Sequence, residues 1–90
     1  MIKRKYIIKD ELGLHARPAA KIVNKLKEFD ADFTIKANDK FVNMSSIMML
    51  LSLKLTVNKE FELTIDGKEE KKAMSTLEEL FLEMNFCYPV

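Results

Sequence analysis

The feature that most constrains the fold is a strict alternation of apolar and polar residues in FELTID, residues 61–66. In an extended chain its apolar side chains point to one side and its polar side chains to the other. The segment therefore predicts a strand with one buried and one wetted face, ended by a turn at Asp66 and Gly67. Such a strand needs a second layer that covers only its apolar face.

Similar but less regular extended patterns occupy residues 2–9, 33–36 and 41–44. Asn38 and Asp39 separate the last two of these segments and predict a tight hairpin, because both residue types tolerate the positive φ of a two-residue turn. Since every predicted strand keeps one polar face, we expect an antiparallel sheet with helices on one side only.

Three other segments have the period of a helix. Residues 16–26 show apolar positions at spacings of three and four, residues 47–53 form a short apolar run behind the favoured N-cap type at Ser46, and residues 73–84 give a closing helix of about four turns. The predicted order is β-α-β-β-α-β-α. We therefore expect an α+β fold, a two-layer open-faced sandwich in which a four-stranded antiparallel sheet is covered by three helices on one face, as a single domain over residues 1–90. The first and third helices should supply most of the cover.

The charge balance disfavours partners that require a strongly charged protein. Fifteen Lys and Arg residues against fourteen Asp and Glu residues give a formal charge of +1, so neither nucleic acid nor an anionic membrane is favoured. The N-terminal apolar run is too short for a signal peptide, and no segment is expected to span a membrane. Cys87, which we expect in a half-buried tail, has no second cysteine to pair with; it fits a reducing cytosol, is assigned no role, and forms no metal-ligand spacing with the distant His15.

The single histidine, His15, lies in the segment ELGLHARPAA. Pro18 suits the first turn of a helix, which places His15 at the N-cap with its ring toward solvent. We expect Gly13 to let the preceding loop bend sharply and to leave the space beside the imidazole open. A neutral ring nitrogen is a nucleophile, and a phosphoryl group on it would lie among the free backbone amides of Ala16 and Arg17. The Arg17 guanidinium would add further donors for phosphate oxygens.

Plain helix capping is the alternative interpretation of His15, but capping requires neither a glycine before the histidine nor an arginine and a proline after it. A hydrolase is disfavoured, since the sequence offers no second histidine and no carboxylate placed to orient this one. The residues therefore favour a histidine that accepts a phosphoryl group.

The segment GLHARPA, residues 13–19, resembles the active-site signature of HPr, the histidine phosphocarrier family of the bacterial phosphoenolpyruvate-dependent sugar phosphotransferase system. A second segment, NMSSIM at residues 43–48, resembles the regulatory-serine segment of Gram-positive-type members. Because the predicted order of strands and helices also fits the fold of this family, the resemblance covers about residues 2–84.

The resemblance implies that His15 takes a phosphoryl group from phosphorylated Enzyme I on its Nδ1 atom and passes it to the A components of sugar-specific Enzyme II complexes. Arg17 would steady the phosphate. The protein would then be a cytoplasmic, monomeric phosphoryl carrier without a cofactor, and not a free-standing catalyst. The resemblance further implies that HPr kinase/phosphorylase modifies Ser46 and that the modified form binds a transcriptional regulator. The dipole of a helix tolerates a phosphate at its start, so we expect the modification to act on partners and not on folding.

Partners are expected to dock on an apolar surface beside the histidine. The second predicted helix has more apolar side chains than one buried face can hold, so some must be exposed. In the family fold, Ile47, Met48 and Leu51 would form this surface together with Ala16 and Ala20.

Three residues depart from the pattern of the family. Met49 and Lys54 stand where glycine is usual, and Leu12 replaces a small polar residue at the edge of the loop. If Lys54 takes the left-handed conformation that ends the helix, the strain is roughly 1 to 2 kcal/mol.

Two alternatives to a sugar-system carrier stay open: a regulatory binding module that acts through Ser46, and a paralogue that serves nitrogen-related signalling. The sequence does not name the sugar.

Overall fold

The computed structural model of the protein describes residues 1–90 as five strands and three helices. The strands are β1 (Ile2–Ile8), β2 (Asp32–Ala37), β3 (Lys40–Asn43), β4 (Glu60–Asp66) and β5 (Cys87–Pro89), and the helices are α1 (Ala16–Leu26), α2 (Ile47–Leu51) and α3 (Glu70–Met84). The predicted succession of elements is confirmed, with one strand added after the last helix.

The strands form one antiparallel sheet in the order β3-β2-β4-β1-β5. The strand with the strictest alternation, β4, lies in the centre of this sheet. The prediction of four strands is wrong by one, because β5 pairs with β1 and places Cys87 opposite Ile8. Cys87 is consequently buried and not a half-buried tail residue. Three residues are too few to display a two-residue period, so the sequence carries no signal for this strand.

The helices cover the apolar face of the sheet, and α1 and α3 supply most of the cover, as predicted. Helix α2 buries only Leu50. The core is one cluster of 24 buried apolar residues, and no polar or charged residue is buried. Within it Tyr6 stacks on Phe61 with ring centroids 5.4 Å apart and meets Phe81 edge-on at 5.3 Å. No helix of the protein combines the length and apolar character needed to cross a bilayer.

Two turns contain residues with positive φ, as the sequence predicts. Asn38 and Asp39 have φ values of 49° and 63°, which confirms the tight hairpin between β2 and β3. Helix α2 ends at Leu51, before the end of its apolar run. After it the Lys54 amide donates to the Leu51 carbonyl at 3.2 Å, a hydrogen bond that spans three residues where an α-helix spans four, and this bond closes the last turn. Lys54 then takes a φ of 52°, the left-handed conformation expected of it.

Candidate functional site

His15 is the N-cap residue of α1, so its predicted position in the fold is confirmed. Its backbone is extended, with φ −102° and ψ −176°, and its carbonyl accepts the first hydrogen bond of the helix from the Ala19 amide at 3.1 Å. The imidazole makes no capping hydrogen bond, and a third of the side chain is exposed. Capping therefore does not explain why a histidine stands here, and the ring remains accessible for chemistry.

The loop before α1 is fixed by Gly13, which has a φ of +68°. A Cβ atom on Gly13 would overlap the carbonyl oxygen of Leu55 and would lie 2.9 Å from the Cα atom of Thr56. That same Leu55 carbonyl accepts a hydrogen bond from the Leu14 amide at 2.9 Å. The sharp bend predicted at Gly13 is confirmed, but the absent side chain makes room for the 55–56 backbone and not for the imidazole.

A carboxylate lies beside the ring, contrary to the expectation that none is placed to orient His15. The Oδ2 atom of Asp10 is 3.6 Å from the Nε2 atom of His15. Asp10 follows β1 and forms a local turn, in which its Oδ1 atom accepts a hydrogen bond from the Leu12 amide at 2.9 Å. An aspartate three residues before a glycine is a turn signal that the sequence offers, but its direction toward the histidine depends on the folded loop.

An open groove of about 630 Å³ lies next to the imidazole. Arg17 and Lys21 line it from α1, and Leu12 and Met84 supply apolar walls. The amides of Ala16 and Arg17 precede the first hydrogen bond of the helix, so they have no intrahelical acceptor. Two cationic side chains and two helix N-terminal amides can hold an anion at this position. No three histidine, cysteine, aspartate or glutamate side chains come together as metal ligands.

Ser46 is the N-cap residue of α2, as predicted. Its hydroxyl oxygen accepts a hydrogen bond from the Met49 amide at 3.3 Å, and its carbonyl accepts one from the Leu50 amide at 3.2 Å. The residue is half-buried, and the hydrogen bond that its hydroxyl accepts is exposed to solvent. The preceding residue, Ser45, is anchored through its amide to the side chain of Asn43 at 2.8 Å.

An apolar surface is exposed on α2. Met48 is 77% exposed, and Ile47 and Met49 are exposed as well. Leu51, which was expected to share this outward face, is half-buried and packs partly against the core. On α1, Ala16 is exposed and Ala20 is half-buried. Helices α1 and α2 are in contact with each other.

The fold agrees with that of a known protein family. A family model described as "PTS HPr component phosphorylation site" matches residues 2–83. The chain belongs to the HPr family. HPr is a phosphocarrier protein of the phosphotransferase system, and the sequence-based assignment is confirmed.

Three HPr-like relatives illustrate the similarity. The phosphocarrier protein HPr of Borreliella burgdorferi is 39% identical over 80 residues, which cover 89% of this chain and 93% of that protein. The histidine-containing phosphocarrier protein of Mycoplasma superposes with a TM-score of 0.88 at 30% identity, covering 92% of this chain and 94% of that one. Crh, the catabolite repression containing protein of Bacillus subtilis, described as a domain-swapped dimer, superposes with a TM-score of 0.71 at 34% identity, covering 92% and 95% of the two chains.

Proposed function

We propose that His15 carries the phosphoryl group of this HPr-family protein, taking it from phosphorylated Enzyme I and giving it to the A components of sugar-specific Enzyme II complexes. The observation that carries the proposal is the combination of a partly exposed imidazole at the start of α1 with a basic groove beside it. A single accessible nucleophile with an anion-binding environment is what a phosphoryl carrier requires. We place this exchange in the cytoplasm, with the protein as a monomer.

The transfer exchanges one phosphorus–nitrogen bond for another. The lone pair of Nδ1 of His15 attacks phosphorus while the bond from phosphorus to the donor histidine of Enzyme I breaks, and the electron pair of that bond returns to the donor ring. The amides of Ala16 and Arg17, with the Arg17 guanidinium, would bind the phosphoryl oxygens as they change partners. The same steps run in the opposite sense toward an Enzyme II A component, so no cofactor and no net redox change are involved.

Labelling with Enzyme I and radioactive phosphoenolpyruvate tests this proposal. We expect one phosphate per chain, labile in acid and stable in alkali, and none in His15→Ala. Arg17→Ala should slow the labelling about tenfold or more, since it removes a charged donor to the phosphoryl oxygens. Arg4→Ala removes an exposed arginine on β1 that does not line the groove, and serves as the matched control. Labelling of His15→Ala at the wild-type rate would refute the proposal.

We infer that Ser46 is the site of a second, regulatory phosphorylation by HPr kinase/phosphorylase. The half-buried hydroxyl at the start of α2 supports it, because a dianionic group there adjoins the exposed Ile47, Met48 and Met49, where a partner would dock. Charge beside such a surface opposes the docking of an acidic partner. ATP-dependent labelling by the kinase should disappear in Ser46→Ala and persist in the control Ser45→Ala.

The similarity to Crh favours a second candidate, a regulatory binding module. In that role the Ser46-phosphorylated chain would bind a transcriptional regulator, and His15 would be dispensable. Two measurements separate the functions: labelling of the wild-type protein by Enzyme I, and binding of the Ser46-phosphorylated His15→Ala protein to the regulator. Binding to the regulator without any labelling of the wild-type protein would favour this second candidate. Sedimentation of the free protein tests the monomer, with a dimer as the contrary result.

A further inference from the structure

The carboxylate of Asp10 faces one particular nitrogen of the catalytic candidate His15. Its Oδ2 atom lies 3.6 Å from Nε2, longer than a hydrogen bond but within the range of an electrostatic contact, and both side chains are partly exposed, 24% for Asp10 and 33% for His15. Asp10 is also the one acidic residue that lines the groove; the other charged side chains there, Arg17 and Lys21, are cationic and cannot accept a proton from the ring.

Three hydrogen bonds hold Asp10 in this position. Its amide donates to the carbonyl of the buried Phe86 at 3.1 Å, and its carbonyl accepts from the Gly13 amide at 2.9 Å. Its Oδ1 atom accepts from the Leu12 amide at 2.9 Å. One carboxylate oxygen is therefore occupied by the loop, and the other is left to face the imidazole. The orientation of the carboxylate is set by the fold before any partner arrives.

We propose that Asp10 is a positioning residue for phosphoryl transfer: it keeps the single proton of the neutral His15 ring on Nε2 and so leaves the lone pair on Nδ1. A neutral imidazole has one N–H donor and one bare nitrogen, and a neighbouring carboxylate fixes which nitrogen is which. This inference rests on the proposed function of His15. Leu12 occupies the position usually held by a small polar residue, and its side chain has no acceptor for the proton of the ring. Its amide instead anchors the Asp10 carboxylate, which supplies that acceptor.

The proton balance of the transfer is simple in this arrangement. The phosphoryl group bonds to Nδ1, the donor phosphorus–nitrogen bond breaks, and the proton stays on Nε2, the nitrogen nearest to the Asp10 carboxylate. No proton needs to leave the pair. Because the carboxylate sits beside Nε2, its charge is kept away from the nitrogen that takes the dianionic phosphoryl group.

Nitrogen-15 NMR of the unphosphorylated protein tests the proposal directly, since the chain has one histidine and gives one set of imidazole signals. While the ring is neutral, the ratio of the Nε2–H to the Nδ1–H tautomer should fall about threefold in Asp10→Asn, an effect of the size expected for a single, partly exposed charge. Asp10→Asn keeps the acceptor for the Leu12 amide, so the loop is retained. Glu11→Gln removes the same charge from an exposed neighbour and should leave the ratio unchanged.

The transfer kinetics provide the second measurement. In Asp10→Asn the maximal rate of transfer from phospho-Enzyme I should fall in proportion to the fraction of the neutral ring that is in the Nε2–H tautomer, with an unchanged KM for Enzyme I, whereas Glu11→Gln keeps the wild-type rate. Asp10→Ser, which keeps a shorter turn acceptor but has no oxygen in reach of the ring, should behave as Asp10→Asn does. An unchanged tautomer ratio in both Asp10 variants overturns the proposal, and so does a reduced Nε2–H fraction with an unchanged maximal rate. A wild-type protein that Enzyme I does not label refutes the proposed function instead, and the tautomer ratio still reports on the pair.

Discussion

Gly13 lies directly against the carbonyl group of Leu55, so close that no side chain fits between the two backbones. The contact joins the loop that carries His15 to the segment that precedes β4, and the adjacent hydrogen bond from Leu14 to Leu55 holds it at 2.9 Å. The position of the imidazole thus depends on packing of main chain on main chain.

Replacement of Gly13 by alanine should be strongly destabilising. The left-handed φ of +68° costs a residue with a side chain about 1 to 2 kcal/mol, and the overlap with the Leu55 carbonyl adds about 1 to 3 kcal/mol. Urea unfolding should show both losses together, with Glu11→Ala, at an exposed position of the same loop, as the control. A Gly13→Ala protein as stable as the wild type would contradict this description of the loop.

Lys54 presents the opposite case, because it holds a left-handed conformation, φ 52°, with a full side chain. Lys54→Gly should raise the free energy of unfolding by about 1 kcal/mol, the strain relieved less the greater freedom of glycine in the unfolded chain. Lys59→Gly, at an exposed position without positive φ, should lower it by a similar amount. Chemical denaturation of the two variants measures the contrast; equal losses of stability would show that Lys54 is not strained.

Ser46 should contribute to stability whether or not it is phosphorylated. Its hydroxyl accepts the Met49 amide, so Ser46→Ala should lower the free energy of unfolding by about 1 kcal/mol. Ser46→Asp keeps an acceptor at the N-cap and should be close to wild type. Ser45→Ala is the control, because the hydrogen bond of Ser45 uses its backbone amide only. Thermal or urea unfolding distinguishes these variants, and a Ser46→Asp protein that unfolds early would contradict a regulatory role confined to partners.

Stability should fall in alkali, beginning above about pH 9. Burial raises the pKa of Cys87 from 9.0 to about 12, so the folded protein keeps the thiol protonated where the unfolded chain ionises. This contribution to stability is complete below pH 9 and is lost progressively between pH 9 and 12, with about 1 kcal/mol lost by pH 10. Burial likewise raises the pKa of Tyr6 to about 12, which adds a loss above pH 10.

The contribution of Cys87 can be separated from that of Tyr6 by comparing urea unfolding at pH 8 and pH 10. Cys87→Ala should lose less stability between these two values than the wild type does. The thiol should also resist a disulfide reagent at pH 8 until urea unfolds the protein. Rapid modification of the native protein would show that Cys87 is accessible after all.

The sheet and the helix starts could be predicted because each depends on local chemistry. The alternation in β4, the Asn38–Asp39 turn and the N-cap positions of His15 and Ser46 are consequences of residue type and spacing over a few residues, and the structure confirms them. These signals are read within one turn of helix or one strand, so no tertiary information is needed.

Other features depend on contacts between distant segments. The pairing of Cys87 with Ile8 involves residues at opposite ends of the chain, and its strand is too short for periodicity. The approach of Asp10 to His15 depends on how the loop folds, which in turn depends on the anchoring of the Asp10 amide to Phe86. Sequence spacing places the two residues in one segment but does not aim one side chain at the other.

The groove beside His15 has a further consequence for the proposed carrier. Arg17, Lys21 and the ring line the same open groove. Phospho-Enzyme I and an Enzyme II A component would then bind over the same groove, so one complex has to dissociate before the other can form. Slow dissociation from either partner would therefore lower the overall rate of phosphoryl transfer, so tight binding would work against the proposed carrier.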